Sequence, residues 1–108
     1  MSDSCESDDA LALLRARALL RLRRNGDAIA ALTAAFGDDG ARDATGVAPM
    51  LLGTAYARGG DVARGIALLH EASRRATASD VATHSEIALG IALAHYQERD
   101  FEASERAL

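Results

Sequence analysis

The sequence predicts an all-α protein built from antiparallel helical hairpins. Ala and Leu supply most of its 49% hydrophobic content, and neither side chain loses much rotamer freedom in a helix. β-Branched residues are sparse and Pro49 is the only proline, so a sheet would lack the side chains that fill pleated surfaces. Clusters of Gly, Asn and Asp recur at intervals that leave room for helices between them. A chain of 108 residues fits one domain.

The first hairpin is predicted over residues 8–37, after an acidic tail of residues 1–7 that we expect to be disordered. The first helix carries an apolar stripe at helical spacing, formed by Leu11, Leu14, Ala18 and Leu22. Gly26 is expected to end this helix in the left-handed conformation. Asp27 is expected to cap the second helix.

Two further hairpins are predicted, over residues 45–77 and 79–108. In the second, Pro49 is tolerated in the first turn of a helix that ends at Gly59-Gly60-Asp61. In the third, Ser79 or Asp80 caps the fifth helix. A turn at Glu98-Arg99-Asp100 is predicted to separate this helix from a sixth one.

The stretch Leu52-Gly53-Thr-Ala-Tyr56-Ala-Arg-Gly-Gly60-Asp61 resembles the tetratricopeptide repeat family. That family shows Leu-Gly, an aromatic residue three positions on, and a Gly-Asp turn. The spacing from Gly26 to Gly60 is 34 positions, the length of such a repeat, and the third unit is offset by an inserted loop at residues 74–79. The resemblance covers about residues 10–108. It implies a domain of about three degenerate repeats over residues 8–108, stacked as a short right-handed superhelix.

The resemblance also implies a concave groove lined by the first helix of each hairpin. By position, its lining residues are Leu13, Leu20, Arg23, Arg24, Met50, Thr54, Arg58, Leu89, Leu93 and Tyr96. The Lys and Asn residues of the family's carboxylate-clamp variant are absent, since Ala16, Leu20 and Met50 stand at those places. The expected ligand is therefore a peptide or an amphipathic helix of a partner protein, with acidic residues that meet the arginines.

These features favour a non-catalytic protein–protein interaction module, or adaptor. One alternative is a sensor or docking segment of a larger bacterial transcriptional or signalling regulator, since the Ala- and Arg-rich composition is typical of GC-rich bacteria. The last predicted helix, from Phe101 to Leu108, is short. We therefore expect a fragment of a longer protein or self-association through an open C-terminal helix. A small enzyme is the least favoured interpretation.

No catalytic, cofactor or metal site is predicted. His84 and His95 would lie about 16 Å apart on one helix, too far to share a metal ion. No glycine-rich phosphate loop follows a strand. The net charge of −4 and the lack of interleaved aromatic residues disfavour nucleic acid, so the stripe of Arg17, Arg21 and Arg24 is interpreted as a solvated helix face.

The expected location is the cytoplasm. The first nine residues are acidic where a secretory signal would be basic. Cys5 is the single cysteine and cannot form an internal disulfide. No apolar run approaches the length that spans a membrane.

Overall fold

A computed structural model describes the backbone of residues 2–107 and the side chains of residues 8–99. It contains five α-helices and a short 3₁₀ helix at Asp38–Gly40. The α-helices are α1 (Ser2–Arg21), α2 (Asn25–Phe36), α3 (Val47–Arg58), α4 (Val62–Arg75) and α5 (Val81–Ala107). Over the described backbone there is no strand, and the all-α prediction is confirmed. The tail of residues 1–7 lies outside the described side chains, so its disorder stays a prediction.

Helix α3 is the centre of the fold. It packs against α1, α2, α4 and α5, while α1 pairs with α2 and α4 pairs with α5. The connections at residues 22–24 and 59–61 are short, as in antiparallel helix pairs. The helices α1, α3 and α5 consequently lie side by side. None of the helices in the described part combines the length and the apolar character needed to cross a membrane.

The core is formed by small and aliphatic side chains from all five helices. Leu32, Leu52 and Leu69 are fully buried, and each stabilises the fold by roughly 1.5–3 kcal/mol relative to an exposed position. Helices α3 and α4 approach most closely at Gly53 and Gly65. A Cβ added to either glycine would lie 2.7 or 2.6 Å from the carbonyl oxygen of the other. The predicted role of Gly53 in letting the helices approach is supported by this geometry.

The two hairpins share one turn geometry, and it corrects the predicted repeat. Arg23 N–H donates to the carbonyl of Leu20 at 3.0 Å, and Gly60 N–H donates to that of Ala57 at 3.2 Å. Equivalent positions are therefore 37 apart, from 23 to 60. The 34-residue spacing is wrong because Gly26 lies in the first turn of α2 and does not end α1. The residue with positive φ is Arg23, at 61°.

The 37-residue spacing does not continue into α5, because the positions 37 after the buried Ala48, Leu51 and Ala55 are Ser85, Ala88 and Ala92, which are exposed. Gly90 lies where α5 packs on α4, and an added Cβ would meet the Leu69 side chain at 3.2 Å. The predicted turn at residues 98–100 is wrong because the backbone stays helical there. This segment has no glycine to take a positive φ, and Gln, Glu and Arg favour helix. One helix, α5, replaces the two predicted over residues 79–108.

The apolar stripe predicted for α1 is on the wrong face. Leu11, Leu14 and Leu22 are 62%, 64% and 68% exposed, whereas Ala16 and Leu20 are buried. Apolar residues occupy most of the circumference of α1, so the helical period fits two different faces. Packing on α2 and α3 selects the face with Ala16 and Leu20.

Of the two predicted helix caps, one is present. Asp80 accepts a hydrogen bond from Thr83 N–H at 3.1 Å. A cap that was not predicted is Asp61, which accepts from Arg64 N–H at 3.3 Å. Hydrogen bonding by Thr83, first through its hydroxyl and then through its backbone N–H, lowers the pKa of Asp80. Asp27 does not cap α2, because α2 begins before it at Asn25, and it instead forms an ion pair with Arg24 at 2.7 Å.

The connection between α2 and α3 is held by Asp43 and Arg75. The buried carboxylate of Asp43 accepts from the backbone N–H groups of Thr45 and Ala48 at 2.9 and 2.7 Å. Arg75 of α4 donates to the carbonyl oxygens of Gly40 and Asp43 at 2.8 and 2.9 Å. This network fixes the start of α3 against the end of α4.

Candidate partner-binding groove

A solvent-open groove runs between α1 and α5, with α3 as its floor. Its volume is about 210 Å³. The lining residues are Arg17, Leu20, Arg21, Leu51, Thr54, Arg58, Glu86, Leu89, Gly90 and Leu93. The helices that line it are α1 and α3, each the first helix of a hairpin, and α5. This arrangement results from the contacts of α3 with α1 on one side and α5 on the other.

The apolar part of the groove lies on its floor and on the α5 wall. Leu20 and Leu51 are 5% and 4% exposed and belong to the core. Leu89 and Leu93 are 60% and 53% exposed. These two leucines are four positions apart on α5, so they stand on the same helix face. They form a short apolar ridge that no described residue covers.

An ion pair connects the walls. Arg17 Nη1 of α1 lies 3.1 Å from Glu86 Oε2 of α5. Both side chains are more than two-fifths exposed, so this pair contributes less than about 1 kcal/mol to stability. The pair is consequently able to open when a ligand offers either group a better partner.

An arginine hollow continues the groove at the carboxyl ends of α1 and α3. This hollow of about 520 Å³ is lined by Leu20, Arg21, Arg23, Asn25, Arg58 and Gln97. Arg58 Nη1 donates to the carbonyl oxygen of Leu20 at 3.2 Å. Within residues 8–99, Arg21, Arg23 and Arg58 form no ion pair, and the lining contains no acidic side chain. Among the described side chains, the arginines of the hollow therefore have no acidic partner.

The structure brings together six of the ten predicted lining residues. Five line the groove itself, and Arg23 joins them in the arginine hollow. The five are Leu20, Thr54, Arg58, Leu89 and Leu93.

The other four predicted residues do not line the groove. Met50 is only 1% exposed and belongs to the core, so its prediction as a lining residue is wrong. Leu13 is half-buried against the core. Arg24 pairs with Asp27. Tyr96 is 71% exposed and lines a separate hollow with His95.

The lining residues that the sequence prediction missed include Arg17, Arg21 and Leu51. A 37-residue spacing would have found Arg21, because Arg21 stands 37 positions before Arg58, from 21 to 58. The spacing of 34 aligned Arg24 with Arg58 instead. The pattern of Arg17 and Arg21 predicts a solvated face; both side chains are partly or fully exposed and also border the groove.

The potential metal ligands do not converge in the described part of the chain. Among those residues, no three His, Cys, Asp or Glu side chains form a group that could hold a metal ion. His84 Nε2 is 3.0 Å from the Thr77 carbonyl oxygen. His95 Nδ1 is 3.8 Å from a Glu98 carboxylate oxygen. Cys5 lies outside the described side chains.

No family model, curated protein or solved structure matches this chain.

Proposed function

We propose that the chain is a non-catalytic protein-interaction module that binds an amphipathic helix of a partner protein along this groove. One observation carries the proposal: the exposed leucines 89 and 93 border a groove that continues directly into the arginine hollow. Exposed apolar residues beside a charged rim are typical of a surface that binds another protein. The groove has the chemistry for one apolar helix face and for acidic residues beside it.

The arrangement also favours one position for the acidic residues of the bound helix. The apolar ridge lies on the α5 wall, and the arginines of the hollow lie at the carboxyl ends of α1 and α3. A bound helix with apolar residues at a spacing of three or four positions would bury Leu89 and Leu93. Its acidic residues would lie at the end that reaches Arg21 and Arg58, where charge complementarity stabilises the complex.

The resemblance to tetratricopeptide repeats belongs to this proposal. It is supported by the helical hairpins, by Gly53 at the contact between two helices, and by a groove along α1, α3 and α5. The 37-residue spacing departs from the 34-residue repeat of that family. A module of this kind would act in the cytoplasm, as its acidic N-terminal sequence and single cysteine suggest.

The proposal is tested by selecting binders for the 108-residue chain from a displayed library of helical peptides. The groove variant is Leu89→Glu/Leu93→Glu, and the control is Val81→Glu, which changes an exposed apolar residue of α5 outside the groove. We expect enriched peptides to share an apolar face with acidic residues. They should bind the groove variant at least about ten-fold more weakly, a loss of about 1.4 kcal/mol, and bind the control as they bind the wild type.

Two results would contradict the proposal. One is a set of binders that keep their affinity for a groove variant whose circular dichroism spectrum equals that of the wild type. The other is equal loss of binding in the Val81→Glu control. Charge is examined separately with Arg21→Gln, which we expect to weaken binding and to reduce its dependence on salt concentration.

A further inference from the structure

The outer face of α1 is apolar and uncovered. Leu11, Leu14 and Leu22 are 62%, 64% and 68% exposed, and Ala18 between them is also exposed. These residues lie on the side of α1 opposite to Ala16, which is completely buried. Three leucines on one helix face form a larger apolar patch than scattered exposed residues do.

The equivalent face of α3, 37 positions later in the sequence, indicates what can pack on this face of α1. The positions 37 residues after Leu11, Leu14 and Ala18 are Ala48, Leu51 and Ala55. On α3 these three residues are at most 4% exposed. They lie on the opposite side of α3 from Gly53, which faces α4, and α1 and α2 pack on α3. The same face is therefore buried by helices in the second hairpin and is open in the first.

We propose that the outer face of α1 binds the same face of a second copy of this chain, with the two α1 helices antiparallel. In this arrangement Leu14 lies opposite Ala18 of the other copy, and Leu11 lies opposite Leu22. The small Ala18 lets the helices approach within the usual 8–10 Å. Each copy supplies the helical cover that α3 already has within the chain.

Charge along α1 selects this direction. Asp8 and Asp9 stand at one end of the described part of α1, and Arg23 and Arg24 follow its other end. Within residues 8–99 the two aspartates form no ion pair. An antiparallel pair places Asp8 of one copy at the end where Arg23 and Arg24 of the other copy stand, whereas a parallel pair places like charges together. Asp9 stands seven positions before Ala16 and lies on the other side of α1.

The size of the contact sets the expected affinity. One pair of helices buries less area than the roughly 1,200–2,000 Å² of a standard interface. We therefore expect a dimer that dissociates on dilution. Sedimentation equilibrium from about 10 µM to about 1 mM covers the range in which such a contact dissociates.

The experiment compares the wild-type chain with Leu14→Glu and with the matched control Leu89→Glu, which changes an equally exposed leucine in the groove. We expect the wild type and the control to reach the mass of a dimer at high concentration, and Leu14→Glu to stay monomeric with an unchanged circular dichroism spectrum. A wild type that is monomeric throughout overturns the proposal. It is also overturned if Leu89→Glu abolishes the dimer and Leu14→Glu does not.

The direction is tested by cross-linking in a Cys5→Ser background. Leu14→Cys and Ala18→Cys chains are mixed and oxidised. An antiparallel pair should give mainly the mixed disulfide, because residues 14 and 18 of different copies face each other. A majority of disulfides between two Leu14→Cys chains would indicate the parallel arrangement and contradict the proposal.

Discussion

The two hairpins of this protein follow the same backbone path with very different turn residues. In the first, the turn is Leu22-Arg23-Arg24, and in the second it is Gly59-Gly60-Asp61. The residues just before α2 and α4, at the N-cap position, are Arg24 and Asp61. Their φ/ψ values are −93°/66° and −90°/71°. Only Asp61 provides a side-chain cap. Arg23 takes a positive φ that glycine takes in the second turn.

This difference indicates that packing between the helices determines the turn. Leu32 and Leu69 are equivalent positions and are both fully buried. The pair Ala16 and Ala28 stands where Gly53 and Gly65 stand in the second hairpin, and all four residues are buried. The first hairpin thus keeps its geometry although an arginine in the left-handed region costs on the order of 1 kcal/mol.

The largest effect on stability is expected at the contact between Gly53 and Gly65 in the second hairpin, where the first hairpin has Ala16 and Ala28. In Gly65→Ala the new Cβ would lie 2.6 Å from the Gly53 carbonyl oxygen and 2.8 Å from Ala57. The helices must separate, and we expect the free energy of unfolding to fall by about 2–3 kcal/mol. The control Ala28→Gly, at the equivalent position, should lose only about 1 kcal/mol. Urea denaturation followed by circular dichroism measures both, and an unchanged stability of Gly65→Ala would show that the close approach is dispensable.

The sequence predicted the fold correctly where turn signals and turn geometry coincide. Gly59-Gly60-Asp61 contains both the residue that takes a positive φ and the cap, so the bounds of α3 and α4 follow from it. In the first hairpin Asn25-Gly26-Asp27 has the composition of a turn but lies in the first turn of α2. Asn, Gly and Asp are tolerated there, and no local signal marks Arg23 as the turn residue.

The candidate groove was predicted in part for a related reason. The order of the helices was enough to identify Leu20, Arg58 and Leu93 as lining residues. Met50 was placed there wrongly although it lies four positions before Thr54 and so on nearly the same side of α3. It is 1% exposed and belongs to the core, whereas the next residue, Leu51, lines the groove. Four helices pack on α3, and the sequence does not show which of its apolar residues they cover.

A smaller effect is expected from exchanging the residues with positive φ. Arg23→Gly should raise the free energy of unfolding by about 1 kcal/mol, because glycine adopts φ near 61° without steric cost. Gly60→Ala should lower it by about 1–2 kcal/mol at φ of 108°. Thermal unfolding of both variants gives the comparison. If Arg23→Gly is no more stable than the wild type, side-chain contacts of Arg23 offset its strain.

The smallest effect is expected from giving the first hairpin the cap that it lacks. Arg24→Ser would place a hydroxyl oxygen near the free N–H groups at the start of α2, and we expect a gain of about 0.5 kcal/mol. The reference is Asp61→Ala, which removes the existing cap of α4 and should cost about 1 kcal/mol. Both are measured by urea denaturation. The ion pair lost with Arg24 is exposed and contributes little. A higher free energy of unfolding in Arg24→Ser would therefore mean that the first turn forms by packing without any help from a cap. An unchanged value would mean that water already satisfies the N–H groups at the start of α2.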